Sequence, residues 1–126
     1  MFASLNRLAR ALAVVSAFGI LYITTPTFAE RAGGAGLDRG RVPALGSVTY
    51  RNEWFEADKP ALVGIRGDGD TALGLFVYDE DGNLIASDTT PGDPYVVRFT
   101  PKRTARFRIV VINFGSVYND YMIMTN

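Results

Sequence analysis

The sequence predicts an all-β, jelly-roll-like antiparallel β-sandwich of about seven to eight strands, preceded by a signal peptide. Three observations carry this expectation. From residue 47 onward, short apolar or alternating runs recur between clusters of Gly, Pro, Asp and Asn. No segment in that stretch sustains a helical period. Ahead of it, a basic start leads into a short apolar run, the layout of an export signal.

The N-terminal elements come first. Arg7 and Arg10 precede an apolar run from Ala11 to Ile23. That run is too short for the roughly 20 residues a membrane-spanning helix needs. Thr27-Phe28-Ala29 puts small residues at its first and third positions, so cleavage is expected after Ala29, with an uncleaved anchor as the alternative. Residues 1–29 then read as the signal peptide. Residues 30–46, with Arg31 to Gly36 rich in Ala and Gly, read as a flexible leader that Leu37, Val42 and Leu45 could tack down. Residues 47–126 read as the sandwich.

Within the sandwich the strands are expected at Val48–Phe55, Ala61–Arg66, Leu73–Asp79, Leu84–Ser87, Tyr95–Thr100, Ala105–Phe114 and Tyr121–Thr125. Lys59-Pro60 breaks the first pair, and Asp81-Gly82-Asn83 is a hairpin signal. Pro91 to Pro94 and Gly115 to Asn119 are turns by composition. Alternation assigns a core of Val63, Ile65, Leu73, Leu75, Val77, Val97, Phe99, Phe107, Ile109, Val111, Tyr121 and Ile123, with Trp54 covering an edge.

Two strands are apolar on both faces. The residues left over outside the core, Phe76, Tyr78, Val110 and Ile112, with Met122 and Met124 beside them, form a candidate partner surface. The alternative is that these side chains pair across strands or lie beneath the leader.

Composition excludes much chemistry. The chain has no His and no Cys. Serine and cysteine nucleophile systems that need imidazole are therefore excluded, as are the usual zinc and copper ligand sets. Without the two signal-peptide arginines, 11 Lys and Arg face 13 Asp and Glu, a net charge of −2, so no basic field invites nucleic acid. No membrane partner is expected after signal cleavage. Carboxylates remain. Asp68, Asp70, Asp79 and Asp120 are candidate ligands for a hard cation such as calcium. A turn role is the competing explanation, most of all for Asp79 in its hairpin. Paired acids would also permit a carboxylate-based hydrolase, a remote alternative. Arg66-Gly67-Asp68 spells an adhesion tripeptide, but a turn accounts for it equally well.

Residues 61–125 resemble a known family. The run from Gly67 to Asp88 looks like an acidic loop, a Leu-x-Leu-x-Val-Tyr-Asp strand and a hairpin. Val97 to Pro101, Phe107 to Gly115 and Tyr118 to Tyr121 look like its closing segments. Together they are similar to the bacterial pre-peptidase C-terminal domain, a relative of the collagen-binding domains of bacterial collagenases. The resemblance implies a secreted sandwich, usually attached to exported peptidases, with a binding, stabilising or secretion-supporting role and no catalysis. Some relatives bind calcium or collagen. Gly74 stands where the family pattern has an acidic residue, which weakens the calcium expectation. The expected partner is an unknown protein or extracellular polymer. The expected location is secreted or periplasmic, in a bacterium. No cofactor is expected unless calcium binds.

Overall fold

The computed structural model describes residues 23–24 and 36–126. The expected cleavage point at Ala29 and most of the signal-peptide segment lie outside the described residues. The elements are β1 (Ile23–Thr24), β2 (Gly36–Val42), β3 (Ser47–Phe55), β4 (Ala61–Arg66), β5 (Leu73–Tyr78), β6 (Leu84–Asp88), β7 (Tyr95–Phe99), β8 (Ala105–Asn113) and β9 (Asn119–Thr125). They form two sheets, one in the order β2-β9-β4-β7 and one in the order β1-β3-β8-β5-β6. All pairings are antiparallel except the two-residue contact of β1 with β3. The seven expected strands are present, each within two residues of its expected bounds.

Part of the segment assigned to a flexible leader is an edge strand. Residues 36–42 pair along their whole length with β9. Their composition hides this, because Gly, Asp and Arg mask the alternation that ends in the buried Val42.

Period-2 alternation puts one side of β3, β4, β5, β7, β8 and β9 between the sheets. Eleven of the twelve expected core residues are buried, and Phe99 is half-buried against the rest. Val42, Val48, Tyr50, Phe55 and Tyr95 join them. At one end of the core Phe55, Phe99 and Phe107 pack with ring centroids 5.1–5.8 Å apart. Centrally, the Tyr50 and Tyr121 hydroxyls meet at 2.8 Å across the two sheets. Burial raises both phenol pKa values. Gly40 makes room for this pair, because a Cβ there would sit only 2.5 Å from the Tyr121 Cζ. Trp54 is not an edge cover: it points outward, with the Arg106 guanidinium 5.7 Å from its ring.

The strand order fixes which loops meet. Loops 43–46, 67–72, 89–94 and 114–118 gather at one end of the sandwich. Loops 56–60, 79–83 and 100–104 gather at the other.

Candidate functional site

The first loop end is built around Asn113, the last residue of β8 and only 1% exposed. Its Nδ2 donates to the carbonyls of Val42 (3.3 Å), Pro43 (3.2 Å) and Val117 (2.8 Å). Its Oδ1 accepts from the Gly115 amide at 2.9 Å. Leu45 N donates to Gly115 O at 2.9 Å, which closes the two loops on each other. Asn119 does similar work next door. Its Oδ1 accepts from Asp68 N at 3.1 Å, and its Nδ2 donates to Thr71 Oγ1 at 3.0 Å. A side-chain amide can satisfy carbonyl and N–H groups together, so a buried Asn suits a junction of irregular backbones.

This frame holds apolar side chains out in solvent. Leu45, Phe114, Val117 and Tyr118 are 49–57% exposed. Leu45 stands at φ 54° in the turn closed by Gly46 N to Pro43 O. That position ordinarily takes Gly or Asn, because Cβ crowds the backbone there. The Arg41 guanidinium lies 4.0 Å from the Tyr118 ring centroid and bonds both Asp120 carboxylate oxygens, at 2.6 and 3.0 Å. That pairing holds the Asp120 carboxyl below the usual carboxylate range.

The patch continues onto the outer face of the five-stranded sheet. A Cβ at Gly74 would meet Phe76 at 2.8 Å and Phe114 at 2.9 Å, so both rings close over this glycine. In register, Val110 lies beside Phe76, and Ile112 beside Gly74. Phe76, Tyr78, Val110 and Ile112 are thus brought onto one face, each half-buried. Tyr78 lies beneath Arg108, 5.0 Å from its ring, and burial raises its hydroxyl pKa. Met122 and Met124 do not join this face; they project from the other sheet. Sequence reasoning missed Leu45, Phe114, Val117 and Tyr118. The available signal was bulky apolar residues inside the turn Phe114-Gly115-Ser116-Val117-Tyr118, where small polar ones would suffice.

The acidic candidates fall in separate places. Asp68 accepts from Asp70 N (2.9 Å) and Asp120 N (2.8 Å), so Asp68, Asp70 and Asp120 are neighbours at the tip. Asp79 sits at the opposite end of β5. It accepts from the amides of Asp81 (2.9 Å) and Asn83 (2.8 Å) and from Asn83 Nδ2 (3.0 Å). Those bonds, led by the one from the Asn83 side chain, hold its pKa down. Calcium takes six to eight oxygens. Among the described residues no group of three or more acids is placed to hold a metal. The Asp68 and Asp79 oxygens accept from backbone amides, and those of Asp120 accept from Arg41. A shallow depression of about 140 Å³ near Phe55 and Pro60 holds the single acid Glu56, itself paired with Lys59 at 3.1 Å. It is smaller than typical ligand pockets of about 300–1,000 Å³ and lacks the second carboxylate a glycosidase needs.

The sequence matches no family model and no curated protein. Solved structures do match. The pre-peptidase C-terminal domain of a Bacillus anthracis collagenase superposes with a TM-score of 0.59 at 9% identity, over 87% of this chain and 100% of that one. This protein has a pre-peptidase C-terminal-like fold. A periplasmic inhibitor of g-type lysozyme from Aeromonas hydrophila also matches this pre-peptidase C-terminal-like sandwich, with a TM-score of 0.59 at 10% identity. That match covers 82% of this chain and 96% of that one.

Proposed function

We propose that the protein is an exported, non-catalytic binding module that engages a partner protein through its apolar tip. The observation that carries this reading is Leu45, a large apolar residue kept exposed at φ 54°. Such a conformation costs on the order of 1–3 kcal/mol, and proteins keep strain of this kind mostly where function uses it. The Asn113 frame holds the surrounding backbone fixed, so little entropy is lost when the tip meets a surface. Of binding, stabilising and secretion support, binding suits an exposed rigid patch best. A fold neighbour that inhibits g-type lysozyme makes that enzyme the first partner to try.

The test compares the protein with its double variant Phe114→Ser/Tyr118→Ser. Each is immobilised and exposed to purified g-type lysozyme, then to the secreted and periplasmic proteins of the source bacterium. Selective capture by the parent, lost in the variant at unchanged melting temperature, supports the reading. Equal capture by both proteins removes the tip from consideration.

A further inference from the structure

The opposite outer face, on the four-stranded sheet, has a different character. Its outward positions form rows fixed by the register. In one row Met122 stands between Arg39 and Arg66. In the next, Met124 stands between Leu37 and Gly64, and Gly64 is followed by Val96. Arg98 lies one row further, beside Leu62. An apolar strip of Leu37, Met124 and Val96 thus crosses all four strands, with arginines on both banks. Met124 lies across Gly64, its Cγ 3.5 Å from where a Cβ would be.

The arginines are uncommitted. Arg39, Arg66 and Arg98 are exposed, and among the described residues none forms an ion pair. Among the described residues, the one acid at an outward position of the face is Asp120, already bound by Arg41. Leu37 is 66% exposed and Met124 50%, so the strip is open to solvent.

We propose that this face docks an amphipathic helix of a partner protein, with an apolar stripe flanked on both sides by carboxylates. The dimensions support a helix. Arg66 and Leu62, the neighbour of Arg98, are four residues apart on β4, about 13 Å at the strand rise. A helix with side chains is about 10–12 Å across and fits between those banks. Three gaps between four strands make the strip about 14 Å long, which matches about nine helical residues. The chemistry supports a protein partner over a lipid surface. The cations are arginines, whose planar forks pair bidentately with carboxylates, and the apolar side chains include adaptable methionines. Arg and Met are enriched at protein interfaces, and Lys is depleted there.

The probe is a stapled helix of about 14 residues, with Leu at i, i+3, i+4 and i+7 and Glu on both flanks. Its binding to the full chain is measured by fluorescence anisotropy in low and high salt. Saturable binding is expected, weakened by added salt and about tenfold or more by Arg66→Glu/Arg98→Glu. Met124→Ser weakens it as well. A Lys-flanked control helix does not bind, and Phe114→Ser/Tyr118→Ser leaves binding intact, so the tip and this face are judged separately. Equal binding of the Glu- and Lys-flanked helices, or none of the former, overturns the proposal. So does retention of binding in Arg66→Glu/Arg98→Glu. Binding to anionic phosphatidylglycerol vesicles in place of the acidic helix also overturns it, in favour of a lipid surface.

Discussion

Replacing Asn113 tests how the tip is held. The side chain is 1% exposed, bonds three carbonyls and accepts one amide. In Asn113→Ala the Val117 carbonyl and the Gly115 amide lose their closest partners, at 2.8 and 2.9 Å. An unsatisfied buried group costs about 1–3 kcal/mol, and water entering at the loop end returns part of it. The expected loss is about 2–4 kcal/mol, or roughly 10–20 °C in melting temperature for a domain of this size. Asn113→Asp separates hydrogen bonding from volume. It keeps the shape but turns a donor into an acceptor facing three carbonyl oxygens. Burial and those oxygens raise the folded-state pKa of the new carboxyl above its unfolded value. The unfolded state then binds fewer protons than the folded one, so the deficit relative to the parent grows as pH rises. Urea unfolding of parent and variants at pH 4.5 and pH 7.5 measures this. Asn113→Asp should be clearly worse at pH 7.5. An Asn113→Ala cost under about 0.5 kcal/mol, the level of an ordinary surface substitution, would refute the view that Asn113 frames the tip.

Other expectations follow from the same geometry. Millimolar calcium should leave the melting temperature unchanged against chelator, because the Asp68 oxygens already accept from amides and the Asp120 oxygens from Arg41; a clear rise would return Asp68, Asp70 and Asp120 to a cation. Asp79, Asp88 and Asp120 are each held below the ordinary carboxylate pKa, so the unfolded chain binds protons first. Their stabilisation is present above about pH 4 and lost as pH falls through the lower folded values, which acid titration of the melting temperature will show. Tyr121→Phe removes the 2.8 Å bond between the two buried hydroxyls and should cost about 1 kcal/mol by urea unfolding.

Much of the framework was legible because it obeys the period of two. Val63, Ile65, Leu75, Val77, Ile109, Val111 and Ile123 alternate with outward residues, and all are buried. The Asp79 hairpin was legible because Asp, Gly and Asn state their turn chemistry directly; Gly82 indeed takes φ 85°. Other features depended on partners far away in sequence. The strand at 36–42 exists because β9 offers it a register from far along the chain, running from Asn119 against Val42 to Thr125 against Gly36. Its own composition argues for a loop. Gly74 looked like a lost acidic residue, but its role is to admit two rings, one of them 40 positions further on. The split between Phe76 and Met124 was invisible for a simpler reason. Alternation says that a residue faces outward, but only strand order says from which sheet.

Leu45 offers the sharpest separation of stability from function. At φ 54° a leucine carries strain of about 1–2 kcal/mol relative to glycine. Leu45→Gly removes that strain and adds an unfolded-state entropy cost of about 0.5–1 kcal/mol. The side chain is 57% exposed, so little apolar burial is lost. The net should lie between neutral and about 1 kcal/mol stabilising, and Leu45→Asn, which tolerates the same backbone, should behave alike. Residues selected for stability do not usually improve so easily, whereas functional surfaces do, because they trade stability for contact. Both variants should therefore unfold at the same or higher urea concentration and capture the partner more weakly. If Leu45→Gly instead destabilises the domain by about 2 kcal/mol or more, the size of a buried-leucine truncation, Leu45 is a packing residue. The strained turn would then serve the fold, and the apolar tip would lose its main support as a binding site.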